Sequence, residues 1–313
     1  ENPIEGDCFI LDETSMIDIR LIDHFLQALP SNATLILVGD IDQLPSVGPG
    51  NVLRDMIISQ AIPYCRLDTI YRQDTSGQIV RNAHRVNSGE NFLPKEDNSD
   101  FYFIETQEPT AIIERTIEMM TKRIPGRFKL DPLNDVQVLT PMRRNLLGAE
   151  NLNDVIQASI NPSGAVLQRG GTCYRQGDRV MQMRNNYDKE VFNGDIGFIE
   201  EVDETEKTMT VVFDDHPIVY EQSELDELVL AYATSIHKSQ GSEYPAVIII
   251  LHTQHYKLLQ RNLLYTAITR GRKLVIVIGS SRAVQIAIKA NQVRERRTTL
   301  KERLRHGITT IDK

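Results

Sequence analysis

The stretch CFILDETSM, residues 8 to 16, limits the fold more than any other. Its first four residues read as a buried strand, which runs directly into Asp12 and Glu13 and then a small polar turn. In a parallel α/β sheet, ligands sit outside the carboxyl ends of the strands, and this acidic pair falls at that point. An adjacent Asp-Glu suits nucleotide hydrolysis: one carboxylate holds Mg2+, directly or through water, and its neighbour orients an attacking water. The same residues equally suit an ordinary strand ending in a helix cap, since Asp, Thr and Ser favour cap positions.

Composition narrows the class. The chain of 313 residues is long enough for two domains with sizeable cores and a small third one. No apolar run approaches membrane-spanning length, and VIIIL and LVIVIG are strand-sized. The start at Glu1 lacks a signal-peptide profile. Cys8, Cys65 and Cys173 are odd in number, far apart and without metal-type spacing, so reduced thiols in a cytoplasmic protein are expected. A net charge of −8 argues against a protein that coats nucleic acid by bulk charge. It leaves room for a local basic groove, because phosphate affinity depends on where Lys and Arg lie. Residues 281 to 313 carry nine basic side chains against three acids, and such a tail reads either as a solvated helix face or as a nucleic-acid contact.

Along the chain, Leu21, Ile22, Phe25, Leu26 and Leu29 recur at helical spacing before Pro30. TLILVGD is a second buried strand, ending at Asp40, and IDQLPSVGPG follows as a tight polar loop before a helix near Asn51. YCRL, residues 64 to 67, reads as a third strand, followed by DTIYRQ with Arg72. FYFIE and VQVLTPMRRN are further strands, with an amphipathic helix over residues 110 to 124 between them. From Gly177 to about Glu227 short β segments separated by Asn-Gly and Asp-Asp turns replace the alternating pattern, which reads as a small inserted antiparallel barrel. The alternation then resumes through VLAYATSIHKSQGSEYPAVIIIL, LLQRNLLYTAITRGR and LVIVIG, and ends in a long basic helix.

Taken in order, ILDETSM, LVGDIDQLPSVGPG, DTIYRQ, ATSIHKSQGSEY and YTAITRGR resemble the Walker B, third, fourth, fifth and sixth motifs of superfamily 1 helicases of the RecD/TraA type. The resemblance covers nearly the whole chain. It implies an α/β fold of two RecA-like, P-loop NTPase-type domains, the first incomplete, with an inserted Src-homology-3-type barrel. The expected division is 1–68 for the first domain, 69–176 and 228–313 for the second, and 177–227 for the barrel.

The resemblance also implies roles. Asp12 would hold Mg2+ and Glu13 would polarise the water. Gln43 would contact the γ-phosphate of ATP, and Arg72 and Arg270 would supply positive charge across the cleft, Arg270 as the arginine finger. Asp40, Gly241 and Glu243 would lie near the nucleotide, with Glu243 reaching the ribose. Thr140, Arg143, Thr234, His237 and Lys238 would contact single-stranded DNA through its phosphates, with little sequence preference. The implied activity is ATP-dependent unwinding, 5′ to 3′, in repair or recombination, alone or with other subunits of a complex. Arg144, Tyr187, Asn193 and Asp195 read as mostly structural.

One departure from the family pattern stands out. No GxxxxGK[ST] run occurs, so the loop that cradles the phosphates is missing. The expectation is the C-terminal part of a larger helicase, unable by itself to bind or hydrolyse ATP measurably. The rivals are a conjugative relaxase-type helicase, a viral RNA helicase, and a non-hydrolysing helicase-like subunit of a recombination nuclease complex.

Overall fold

In the computed structural model, residues 3–67, 77–94, 96–291, 296 and 298–311 are described. Strands β1 (Cys8–Leu11) and β2 (Thr34–Leu37) pair in parallel to make a small sheet. Helix α1 (Ile19–Ala28) connects them, started by Asp18, whose carboxylate accepts from the N–H groups of Arg20 and Leu21. On the face of the sheet that α1 covers, the Phe9 ring meets Phe25 edge-on. Strand side chains alternate between faces, so Ile10 and Ile36, paired across the sheet, share the other one, and they are 66% and 44% exposed. Helix α2 (Val52–Ser59) follows.

The next part of the chain runs through α3 (Gln78–Asn87), β3 (Phe101–Glu105) and α4 (Pro109–Glu118). A π-helical turn, Met119–Arg123, joins α4 to α5 (Ile124–Phe128). Then come β4 (Val136–Thr140) and α6 (Ala149–Ile160). An antiparallel region contributes β5 (Val166–Arg169), β6 (Thr172–Arg175), β7 (Arg179–Gln182), β8 (Ile196–Asp203), β9 (Thr208–Phe213), β10 (His216–Glu221) and β11 (Leu228–Leu230). The alternating series returns with β12 (Ala233–Ser235), β13 (Tyr244–Leu251), α7 (Arg261–Thr269), β14 (Gly271–Gly279), α8 (Ser281–Lys289) and α9 (Leu300–Ile311).

Five strands in the order β12-β4-β13-β14-β3 form a wholly parallel large sheet. Successive residues of β13 enter different apolar clusters, Ile248 one and Ile249 the other, so this sheet is covered on both faces. One of those clusters continues without a break into Val211 and Tyr220 of the antiparallel region. Asp178, fully buried, ties the same junction together: it accepts from Gln157, Asn161, the Tyr232 hydroxyl and the N–H of Arg175. Among the described residues no helix is long and apolar enough to cross a membrane.

Two expectations need correction, the strand at YCRL and the single long helix of the tail. YCRL forms no strand: Tyr64 and Leu67 are 58% and 88% exposed, and no strand among the described residues pairs with them. The inserted strands pair in the order β10-β9-β8-β7-β11 beside a separate β5-β6 hairpin, and no β10–β11 pairing closes the ring among the described residues. Antiparallel pairing also begins at Val166, ahead of Gly177. The basic tail is two helices, α8 and α9; between them the positive φ of Thr299, costly for a β-branched residue, stands just before α9.

Candidate functional site at the junction of the two sheets

The acidic pair stands at the tip of β1, as expected, but the strand is not buried. Cys8 and Ile10 are exposed and Phe9 and Leu11 only half-buried, because the other face of the small sheet has no helix over it among the described residues. Asp12 is exposed, and one of its oxygens accepts from the N–H of Glu13 at 2.7 Å. Glu13 takes a left-handed conformation, φ 51° and ψ 36°, at the entry to a short 3-10 turn. Such backbone is strained for a residue with a long side chain, and it persists where its surroundings hold it. The next residue supplies that hold: Thr14 donates to the Val38 carbonyl both from its N–H and from its hydroxyl. Val38 in turn donates to the Leu11 carbonyl, so the tips of β1 and β2 are locked together.

Past the tip of β2, Asp40 accepts from the N–H of Asp42 at 2.9 Å, from Gln43 Nε2 at 3.3 Å and from the Tyr265 hydroxyl at 3.0 Å. Burial, then the Asp40 carboxylate, push the Tyr265 phenol up, so it stays a donor. Gln43 faces both ways: its amide nitrogen donates to Asp40 and its oxygen accepts from Arg270 Nη2 at 3.1 Å. Arg270 sits at the C-terminal end of α7, where the last carbonyls of a helix welcome a cation. It is 2% exposed, and it also donates to the carbonyls of Thr266 at 3.2 Å and Ser242 at 3.0 Å. Ser242 lies between Gly241 and Glu243, so the third, fifth and sixth motifs meet around one guanidinium.

Two further bonds join the halves. The N–H of Leu44 donates to the Thr266 hydroxyl at 2.9 Å, and Gln240 donates to the Leu44 carbonyl at 2.8 Å. From the far end of the chain, Arg296 donates to the Ser46 hydroxyl at 3.0 Å and to the carbonyls of Gly48 and Gly50. A Cβ on Gly48 would run into the Asp18 side chain, whose carboxylate caps α1. Arg305 of α9 reaches the Ser59 carbonyl of α2, so the tail helix packs back on the small-sheet unit.

Gly241 has φ +77° and open space where a side chain would be, which leaves its backbone accessible. Glu243 pairs with Arg272 at 2.8 Å. Arg72 lies outside the described residues. Among the described residues no three His, Cys, Asp or Glu side chains cluster as a ready metal cage. Asp12 offers one exposed carboxylate, which fits a cation such as Mg2+ that takes one or two carboxylates and completes its shell with water and phosphate.

The DNA candidates divide. Arg143, Thr234 and Lys238 line one cavity of about 420 Å3 between the ends of β4 and β12 and the antiparallel sheet. Arg143 pairs with Glu150 at 2.7 Å, but both are well exposed, and such pairs are worth roughly 0–1 kcal/mol, so a phosphate could redirect it. Lys238 lies 2.8 Å from Met183 Sδ, and burial followed by repulsion from Arg143 lowers its pKa. Thr234 is buried, with its hydroxyl oxygen unpartnered among the described residues. Burial lowers the pKa of His237, favouring the neutral ring. Thr140 is not part of the cavity lining: it is fully buried and its hydroxyl donates to the Leu147 carbonyl at 2.6 Å.

Sequence reasoning missed Tyr265, Thr266, Gln240 and Arg296. The first three stand inside the quoted motifs, Tyr265 and Thr266 one helical turn before Arg270, and that spacing was a usable signal. Nothing local marks Arg296.

Comparison with known proteins agrees with this arrangement. Residues 3–100 match the AAA domain family, residues 152–213 the ATP-dependent RecD-like DNA helicase SH3 domain, and residues 230–278 the UvrD-like helicase C-terminal domain. The chain is 37% identical to the ATP-dependent RecD2 DNA helicase of Deinococcus radiodurans, over 97% of this chain and 40% of that protein. To the RecBCD enzyme subunit RecD of Mycolicibacterium smegmatis it is 29% identical, over 97% of this chain and 55% of that one. The conjugal transfer protein TraA of Agrobacterium fabrum is 26% identical, over 85% of this chain and 24% of its own length. The chain therefore spans about half or less of the length of these relatives. Among solved structures, Pif1 helicase from Candida albicans superposes with a TM-score of 0.57 at 15% identity, covering 97% of this chain and 77% of that one. A Bacteroides Pif1 helicase in complex with ADP-AlF3 and ssDNA gives 0.52 at 17%, covering 87% and 70%. These likenesses show a shared RecA-type helicase fold with parallel sheets. With its RecD-like SH3 match, its UvrD-like C-terminal helicase match and RecD2, RecD and TraA among its relatives, the chain is compatible with a RecD-type superfamily 1 helicase.

Proposed function

We propose that this chain forms a motor portion of an ATP-driven DNA helicase that moves on single-stranded DNA, 5′ to 3′, in repair or recombination. The observation that carries the reading is the buried Arg270, held on one parallel-sheet unit and bonded to Gln43 of the other. Phosphoryl transfer needs positive charge placed on the transferred group and a positioned water, with rather little covalent work. Arg270 and Gln43 would meet the γ-phosphate of ATP at the seam, where loss of that phosphate changes the contact between the units. Asp12 would hold Mg2+, which supplies charge neutralisation for the phosphates, and Glu13 would orient the attacking water. Gly241 and Glu243 would border the nucleotide, Glu243 after leaving Arg272. Asp40 would hold Gln43 in place. Arg72 keeps its role as a second cation by family resemblance alone.

Single-stranded DNA would pass over the cavity of Arg143, Thr234 and Lys238, with His237 beside it. Other subunits of a repair complex are possible partners by analogy with the RecBCD relatives. The division into 1–68, 69–176 with 228–313, and the insertion between them remains our proposal for the domains. ATP hydrolysis by the longer protein, measured with and without single-stranded DNA, tests the reading. Glu13→Gln is expected to lower the stimulated rate roughly 10²–10⁴-fold while nucleotide binding persists. A variant that turns over at the wild-type rate would remove Glu13 from the chemistry.

A further inference from the structure

A second cavity lies away from this seam. It measures about 850 Å3 and runs beside β3, the strand at the opposite edge of the large sheet from β12. Four strand spacings separate those edges, about 19 Å at roughly 4.8 Å each, so this cavity is distinct from the one that holds Arg143 and Lys238. All four residues from Phe101 to Ile104 line it. Neighbouring strand residues point to opposite faces, so a cavity touching four in succession follows the strand's edge and does not lie on one face.

That edge carries unused backbone. Val275 donates its N–H to the Asp100 carbonyl, and Thr106 donates its own to the Gly279 carbonyl. In a parallel ladder these bonds assign the even-numbered residues of β3 to β14 and turn the odd-numbered ones outward. Phe101 is satisfied by the Ser99 hydroxyl, which bonds both its N–H and its carbonyl. The outward N–H and C=O of Phe103 bond no described residue. The buried hydroxyl of Tyr102 likewise has no partner among the described residues. An open edge of this kind is a template for another strand.

The cavity's chemistry selects what kind. Lys122, Arg123 and Arg127 line it, and among the described residues no acidic side chain does, in a chain of net charge −8. Arg123 is held by Glu118 at 2.9 Å, and Arg127 stacks over the Tyr102 and Phe128 rings. Lys122 has no ion pair among the described residues. The lining between these cations and β3 is apolar and aromatic. Two of its rings, Phe92 and Phe101, meet edge to face at 4.9 Å, an arrangement that leaves little open ring surface for stacked bases. A second copy of this chain would bring two like-charged rims together. The π-helical turn Met119–Arg123 places Lys122 and Arg123 on this rim.

We propose that this groove binds an extended, acidic peptide of a partner protein, which adds to β3 as a sixth strand, its apolar side chains on the aromatic lining and its carboxylates at Lys122 and Arg127. Strand addition takes affinity from main-chain bonds and specificity from alternate side-chain pockets. The inference does not depend on ATP use.

Fluorescein-labelled octapeptides alternating Asp or Glu with Ile or Phe, titrated with the protein by anisotropy, test it. The expected result is micromolar binding, lost on N-methylation of alternate backbone amides and on replacement of the acids by Lys. Lys122→Glu changes one exposed side chain, leaves the fold intact by circular dichroism, and should weaken binding tenfold or more. Absence of binding up to millimolar peptide would overturn the proposal. So would equal binding of the N-methylated or Lys-containing peptides, displacement by an oligothymidylate, or a dimer in sedimentation that Lys122→Glu dissolves.

Discussion

The two parallel sheets use the same strand-helix-strand construction to different ends. In the large sheet Ile248 and Ile249 are both fully buried, one beneath each helical layer, and the strands are held by their own cores. In the small sheet the four residues of each strand alternate between half-buried and exposed, and Ile10 and Ile36 face outward. Two short paired strands are marginal by themselves. The small sheet compensates at its tips and flank, through bonds from Thr266, Gln240, Arg270, Arg296 and Arg305, all from the far part of the chain. The lesson is that the acidic pair and Gln43 stand on a unit whose position is set largely by what docks against it. A site that couples chemistry to relative movement benefits from that weakness, because such movement requires contacts that open at low cost.

The strongest way to break this contrast is at the seam. Arg270→Ala in the longer protein should lower DNA-stimulated ATP hydrolysis by roughly 10³–10⁵, the range for arginine fingers, with nucleotide binding retained. Near-wild-type turnover would mean that the seam is only structural.

The second comparison sets the sheets against each other directly. Ile249→Ala should cost about 2–5 kcal/mol in denaturant unfolding, because it empties a packed site. Ile10→Ala should stay within about 0.5 kcal/mol, because that side chain already meets solvent. Equal costs would show that both sheets bear the same load.

Acid should act on the large-sheet unit first. His255, after β13, is 1% exposed, and burial with the neighbouring His252 lowers its pKa to about 4. Its Nε2 is buried without a partner among the described residues. The native ring thus stays neutral while an unfolded one protonates below about pH 6.5. The stabilisation is full above pH 6.5 and is lost as pH falls toward 4, by on the order of 3 kcal/mol. Urea midpoints at pH 7 and pH 5, compared with those of His255→Asn, check this; parallel pH slopes in the two proteins would refute it.

The most local effect is expected from Arg296→Ala. Charged hydrogen bonds are worth about 1.5–3 kcal/mol in general, and here they bind a loop to a tail. Amide exchange of residues 44 to 53 should speed up while the thermal midpoint moves little. An unchanged exchange rate with a lower midpoint would place Arg296 in the global core instead.

How much of this was legible depended on the range of the interaction. An apolar strand running into Asp12 and Glu13 is a local pattern, and the structure places both residues at a strand tip, while the burial expected of that strand depends on a covering layer that no local pattern states. The strand predicted at YCRL failed because four apolar-leaning residues have no neighbour to pair with, and pairing is not a local property. The inserted strands were recognised individually, yet their closure depends on whether β10 and β11 meet, which no turn signal states. Thr140 shows the same limit at a single residue: its motif suggested a phosphate contact, and its hydroxyl is spent on a carbonyl seven residues on.

The sequence by itself determined the strand and helix periods, the motif order and the residue types at the strand tips, because side-chain alternation and helical spacing are written over a few residues. Only the tertiary structure decided that Gln43 and Arg270, 227 positions apart, share a hydrogen bond, and that Arg296 from the tail grips the loop after Asp40. It also decided that the outward edge of β3 faces a cationic, aromatic groove. These are contacts between elements whose spacing along the chain has no period, so only packing, which buries apolar faces and satisfies the polar groups caught between them, can bring them together.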